Sequence, residues 1–285
     1  MLKYKLFTIY VFFKSWFCGC SADKKREDFQ IQSRDYTIAR IGKMAKSEVP
    51  ESSGMALASD GNFWTHADSG NRPILYKVNA AGELLQTLEI PHTSNLDWED
   101  LAQDKAGNIY IGDFGNNQNK RRNLRIYRIN ERNTDQVDTI QFSYADQKEF
   151  PPPQNDRNFD CEAFFYHQNY LYLFTKDWRN KGIVKVYKVP ATPGTYKVPV
   201  LDQIRINTMI TAADINPAGN KMALLGYGSI YLFEINGTDG FFKGKKYCLP
   251  FKRSGQSEAL IFTDEDNFVF TNEGGKIFKA LLKAN

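Results

Sequence analysis

Short apolar runs recur along the chain in pairs joined by a tight turn, and the pairs come round five times. In each, an acidic or small polar residue opens the first run and a polar cluster ends the second. The openings and turns are Ser53-Gly-Met-Ala-Leu57 with Gly61-Asn62, Glu99-Asp-Leu-Ala102 with Gly107-Asn108, and Glu162-Ala-Phe-Phe165 with Gln168-Asn169. Ala213-Asp-Ile215 with Gly219-Asn220 and Glu258-Ala-Leu-Ile261 with Asp266-Asn267 complete the set. The turn asparagines at 62, 108, 169, 220 and 267 stand 46, 61, 51 and 47 residues apart. A period of about 40–50 residues that divides into several strands belongs to a β-propeller.

Each repeat divides into four runs, and the third carries an aromatic at matching places: Tyr76, Tyr127, Tyr187, Tyr231 and Phe278. Such residues suit a half-buried pleated surface and are expected to pack between blades. The fifth repeat ends after its third run, which would leave an open sheet edge. The alternating segment Tyr36–Ile41 is expected to fill that place and close the ring. The prediction is an all-β chain with a single propeller of five four-stranded blades over 35–285. Six blades is the alternative, because the longest interval holds an insertion around Tyr144–Phe159 with Pro151-Pro-Pro153. That insertion lacks a strand pattern and reads as a loop.

The first residues change the picture of where the chain works. Lys3 and Lys5 precede a short apolar stretch, Leu6 to Phe17, and Gly19-Cys20 follows. This reads as a lipoprotein signal peptide over 1–19 with Cys20 lipidated, and 20–34 as a charged tether. The expected location is the bacterial cell envelope, with the membrane engaged through the N-terminal lipid and facing the periplasm or the surface. Without the leader, three lysines leave the 37 basic residues, so 34 face 33 acidic ones. That balance gives no footprint for nucleic acid. Cys161 and Cys248 fall on an inner and an outermost strand, too far apart to bridge, and are expected to be free buried thiols. A monomer is expected.

The propeller topology turns the repeats into a spatial prediction. The start of strand one and the end of strand two in each blade share a face. The starts carry Glu51 to Ser53, Asp97 to Asp100, Asp160 to Glu162, Asp214 and Gln256 to Glu258. The ends carry His66-Ala-Asp68-Ser69, Asp113-Phe-Gly-Asn116-Asn117, Lys176-Asp177 and Asn272-Glu273. Carboxylates crowded at one channel mouth repel unless a cation neutralises them, and Ca2+ takes six to eight oxygen ligands. Glu99, Glu162 and Glu258 occupy equivalent places on three blades. With Asp100 and Asp214 they form the expected metal set; internal pairing of the acids to Arg, Lys and backbone N–H is the competing arrangement. His66 and Asp113 are the candidates for proton transfer. Asp68, Asn116, Asn117, Lys176, Asp177 and Glu273 are the candidates for substrate contact, and Arg121, Arg122 and Arg179 could receive an anion.

No nucleophile elbow surrounds Ser53, Ser69 or Ser257, and three dispersed histidines supply no zinc spacing. Two functions therefore compete. One is a binding module for a small molecule, glycan or protein; the other is a metal-dependent hydrolase of a phosphate ester, lactone or similar small molecule.

The motifs Phe63-Trp-Thr-His-Ala-Asp-Ser-Gly70, Asp97-Trp-Glu-Asp-Leu-Ala102, Ile109-Tyr-Ile-Gly-Asp-Phe-Gly-Asn-Asn117 and Asp160-Cys-Glu-Ala163 resemble a largely uncharacterised family of secreted bacterial propeller proteins. Thr211–Pro217 and Gln256–Leu260 fit the same family, so the resemblance spans roughly residues 50–280. More distantly the chain is similar to calcium-dependent propeller nucleotidases, which implies five blades and an axial calcium. Lactonase- and phytase-like propellers are similar in outline. The fourth blade departs from the acidic pattern, which implies an asymmetric site.

Overall fold

The computed structural model describes residues 20–32, 35–178, 182–235, 240–251 and 255–283; the leader and Arg179 lie outside them. In chain order, a helix α1 (Cys20–Glu27) and strands β1 (Gln30–Ile31) and β2 (Tyr36–Lys43) precede the repeats. Blade 1 is β3 (Ser52–Leu57), β4 (Phe63–Ala67), β5 (Ile74–Val78) and β6 (Leu84–Glu89). Blade 2 is β7 (Trp98–Gln103), β8 (Asn108–Asp113), β9 (Leu124–Asn130) and β10 (Asn133–Tyr144). Next come β11 (Cys161–His167), β12 (Tyr170–Thr175), β13 (Ile183–Pro190) and β14 (Gly194–Val198). Blade 3 is β11, β12, β13 and β15 (Val200–Arg205), while β14 crosses over to pair in parallel with β10 of blade 2. Blade 4 is β16 (Ile210–Ile215), β17 (Lys221–Gly226), β18 (Ser229–Glu234) and β19 (Lys246–Pro250). Blade 5 is β20 (Ser257–Phe262), β21 (Phe268–Asn272) and β22 (Lys276–Leu282), completed by β2.

The five-bladed propeller and its closing N-terminal strand are as the repeats predict. Strand β2 pairs antiparallel with β22, from Tyr36 opposite Leu282 to Lys43 opposite Lys276. The inner strands β3, β7, β11, β16 and β20 touch in succession, and β20 returns to β3. Five apolar clusters fill the five gaps between blades. Tyr76, Tyr127, Tyr187 and Tyr231 are buried in them, as their repetition implies. The insertion after Tyr144 is a loop broken only by a 3-10 turn, Gln154–Asp156. Blades 2 and 4 have five strands rather than four, because β14 and β1 add to their outer edges.

Inner strands crowd around the axis, so the third residue of the inner strand is small in four blades: Gly54, Ala163, Ala212 and Ala259. A Cβ on Gly54 would sit 2.5 Å from the Asp100 Cα, which is backbone and cannot yield. Gly54→Ala should therefore lower stability by roughly 1–3 kcal/mol in urea denaturation. An unchanged midpoint would mean that blades 1 and 2 can slide apart freely.

Two expectations about cysteine are corrected. Cys20 and Cys248 are joined in a disulfide, and among the described residues Cys161 alone is a free, buried thiol. A sulfur in a disulfide cannot also carry a thioether lipid, so this bond takes the atom assigned to lipidation. Residues 20–32 of the segment read as a tether are instead docked on the outer strands of blades 3 and 4, with β1 parallel to β19. No helix among the described residues is long and apolar enough to cross a membrane.

Candidate functional site

At the mouth, each inner strand opens with one ladder pair: Ser52 with Ala67, Trp98 with Asp113, Cys161 with Thr175, Ile210 with Gly226 and Ser257 with Asn272. In every blade the register shifts directly after that pair. The shift is a β-bulge, which bends a strand and re-aims a side chain. The residue following the pair is thus equivalent in all five blades, giving a ring of Ser53, Glu99, Glu162, Thr211 and Glu258. Ser53 Oγ donates to the Glu99 carbonyl at 2.8 Å and Thr211 Oγ1 to the Ser257 carbonyl at 2.7 Å, tying each blade to the next.

The three glutamates of that ring are the equivalent trio identified in the sequence, and Asp160 joins two of them. Carboxylate oxygens of Glu99, Asp160 and Glu162 lie within 4.8 Å of one another, all buried. Asp160 Oδ1 accepts the Asn116 N–H at 2.7 Å, and its Oδ2 accepts the Trp178 indole N–H. Glu162 is ion-paired to Lys176, whose Nζ lies 4.7 Å from the Trp178 ring and 5.7 Å from that of Tyr227. Glu99 is only 7% exposed, and among the described residues no hydrogen bond reaches its carboxylate. Backbone room for it comes from Gly115, where a Cβ would sit 2.0 Å from Glu99 Oε1 and 2.5 Å from Asp97 Oδ2.

Burial, and then the neighbouring carboxylates, push Glu99 well above the usual glutamate range. Burial also lifts Glu162 well up, although the Lys176 ammonium opposes it. Asp97 is pushed up to about 6 by burial and by Asp160, and Glu258 to about 7 by burial, with Lys176 opposing and Asp68 adding. Lys176, with Arg121 opposing the rise of Asp97, therefore offsets only part of the charge held here. These shifts fix a sign. Folded carboxyls above their unfolded values hold extra protons between about pH 4 and pH 7, so stability falls as pH rises through that window. Denaturant titrations in a chelator should show less stability at pH 7.5 than at pH 5; a flat or rising profile would show that the acids are compensated internally.

The remaining candidates divide. Asp68 and Asn117 are exposed and Glu273 half-buried at the rim, where Trp178 is 38% and Leu96 48% exposed. Asn116 is buried, fastening the loop through Phe159 O at 3.1 Å and the Arg121 N–H at 2.9 Å. Asp177 is buried and accepts the Ile183 N–H at 3.3 Å. Arg121 holds Asp113 at 2.9 Å and Arg122 stacks 3.9 Å from the Phe150 ring.

Four predicted members do other work. Asp113 is fully buried between Arg121 and Arg125 and accepts the Asp97 N–H at 3.1 Å, which makes it a support, not a proton carrier. His66 lies buried between blades 1 and 2, its ring 5.7 Å from that of Trp98 and its Nδ1 2.9 Å from the Ala67 carbonyl. Burial pushes it down to about 4, so it is neutral and away from solvent. Asp214 is not at the start of its strand. The first pair of blade 4 is Ile210 with Gly226, so Thr211 is the ring residue and Asp214 faces Ala223 near the other end. There it accepts the Phe262 N–H at 2.7 Å. Asp100 lies inside the channel, where Oδ1 accepts the Leu101 N–H at 2.8 Å. Its Oδ2 takes the N–H groups of Phe164 at 3.2 Å and Ala213 at 3.4 Å. It satisfies donors that inner strands, as sheet edges, turn toward the axis. Asp160, placed at the mouth by the sequence but outside the ligand set, was signalled by its spacing two residues before Glu162.

No family model matches the sequence, and no curated protein matches it. Solved structures similar to it are β-propellers. The PQQ-bound aldose sugar dehydrogenase from Streptomyces coelicolor aligns with a TM-score of 0.54 and 10% identity, over 89% of this chain and 100% of that one. A structural genomics protein of unknown function from Bacteroides thetaiotaomicron aligns at 0.52 and 8%, over 87% and 76%. A gluconolactonase from Xanthomonas campestris aligns at 0.49 and 11%, over 81% and 72%. At such identities the likeness defines the fold class, a β-propeller, and not an activity.

Proposed function

We propose that this chain is an exported, monomeric propeller whose mouth holds a divalent cation, calcium, and binds an oxygen-rich ligand such as a glycan. The observation that carries it is Glu99: a buried carboxylate that no hydrogen bond reaches among the described residues, its oxygen within 4.8 Å of those on Asp160 and Glu162. An uncompensated buried charge is expensive, and two oxygens on one calcium ion lie at most about 5 Å apart. The donor set therefore suits a hard cation, with Glu99, Asp160 and Glu162 as its holders. The rest of the coordination sphere would be left to water or ligand oxygens, beside the exposed Trp178 indole. The disulfide supports an oxidising compartment outside the cytoplasm. Titration calorimetry at pH 7.5 should find one calcium per chain, with affinity lost in Gly115→Ala because the added methyl displaces Glu99. Equal affinity in both proteins would remove this site from consideration.

The hydrolase reading rests on a different observation. Asp97 near 6 and Glu258 near 7 titrate close to neutral pH at the same mouth, as a general acid and base should. In that reading the bound cation would polarise the scissile group. Asp97 and Glu258 would hold and move the proton, while Lys176 would steady Glu162. A phosphoester and lactone screen separates the two readings, since only the second expects turnover lost in Glu258→Gln.

A further inference from the structure

Residues 20–32 are held by contacts on the outer strands of blades 3 and 4. Helix α1 has eight residues and β1 two, too few to persist unaided. Four anchors dock them instead. Cys20 is bonded to Cys248 across 228 residues of sequence. The buried Asp23 carboxylate accepts the Asn207 N–H at 2.9 Å and the Tyr231 hydroxyl at 2.8 Å. Phe29, fully buried, packs edge-on to Tyr231 at 5.3 Å and Phe233 at 5.6 Å. Gln30 and Ile31 lie beside Tyr247 and Cys248, and the Gln32 N–H donates to the Cys248 carbonyl at 3.0 Å. These partners are on β18, β19 and the turn before β16, and α1 packs against β15 as well. The ring of inner strands takes no part.

We propose that the Cys20–Cys248 bond is a redox latch on a detachable strap. An external dithiol gives two electrons and two protons: its own S–S bond forms as the Cys20–Cys248 bond opens to two thiols. Release of the strap uncovers the backbone edge of β19 together with Tyr231 and Phe233. That surface fits an extended peptide carrying an aromatic side chain, added in the place of β1 and Phe29. The device is independent of any cation at the mouth, which lies on other strands.

Trypsin tests the latch on the full chain, because Lys24, Lys25 and Arg26 are exposed on α1 yet held in a docked helix. Reduction with dithiothreitol should speed cleavage there roughly tenfold or more, while the propeller still melts in one cooperative transition. Cys20→Ser, which leaves blade 4 intact, should be cleaved at the reduced rate without reductant. Equal rates in the oxidised, reduced and Cys20→Ser proteins would overturn the proposal, since the strap would then stay docked unlatched. Loss of the cooperative transition on reduction would also overturn it, because the bond would then hold up the blade.

Discussion

Asp100→Ala is expected to lower the unfolding free energy by about 3–5 kcal/mol, because it leaves three buried backbone N–H donors unsatisfied at about 1–3 kcal/mol each. Two effects oppose each other at this residue. Burial disfavours the carboxylate and pushes Asp100 well above the usual aspartate range, while the N–H groups of Leu101, Phe164 and Ala213 pull it back. Hydrogen bonds to a charged group contribute about 1.5–3 kcal/mol each, and the alanine variant leaves three inner-strand donors without an acceptor. The bonds should win. The melting temperature should fall by about 6–20 °C, at roughly 2–4 °C per kcal/mol for a domain of this size. Asp100→Asn keeps one acceptor oxygen and should lose less. A neutral Asp100→Ala would mean that desolvation cancels the bonds and that the channel is held by strand packing alone.

Glu99→Gln should act in two directions at once. Without added cation it should raise stability by about 1–2 kcal/mol, because it removes a buried charge that no hydrogen bond among the described residues compensates. With calcium present it should lose the stabilisation that the parent protein gains. Glu162→Gln, by contrast, takes the ion-pair partner from Lys176 and one holder from the cation, so it should lower stability by about 3 kcal/mol in chelator and also lose the gain from calcium. Chemical denaturation of the three proteins, each in chelator and in calcium, reads all of these signs. A Glu99→Gln protein that is less stable than the parent in chelator would show a hidden partner for Glu99 and end its role as a metal holder.

The five-fold period was plain in the sequence because turn chemistry and third-strand aromatics repeat without regard to function. The closing strand was legible for a similar reason: Tyr36–Ile41 alternates and the last repeat lacks a partner. The mouth was legible as a place, since antiparallel pairing sets Trp98 against Asp113 and Cys161 against Thr175. Its finer arrangement was not. A bulge moves one residue out of the two-residue period, and blade 4 hides its ring position as Thr211. Aligned by chemistry alone, Asp214 takes a place that pairing gives to a hydroxyl. Asp100 likewise looks like a second ligand beside Glu99, although it stands where other blades have Gly or Ala and fills the channel. The Cys20–Cys248 bond joins residues 228 apart, and no local pattern announces such a contact. Reading Cys20 as a lipid carrier also removed the one partner that Cys248 has.

The central claim is that the mouth holds a divalent cation, and thermal unfolding of the purified chain tests it most directly. The protein would be stripped with EDTA, then melted at pH 7.5 without metal, with calcium and with magnesium. At a hundredfold excess over Kd, binding to the native state adds about 2.7 kcal/mol, which corresponds to a rise of about 5–10 °C. The account predicts that rise with calcium, and a smaller one at pH 5 where protons already neutralise the acids. An identical melting temperature in EDTA and in millimolar calcium, with no metal left after stripping, would contradict it. The carboxylates of the mouth would then be compensated from within.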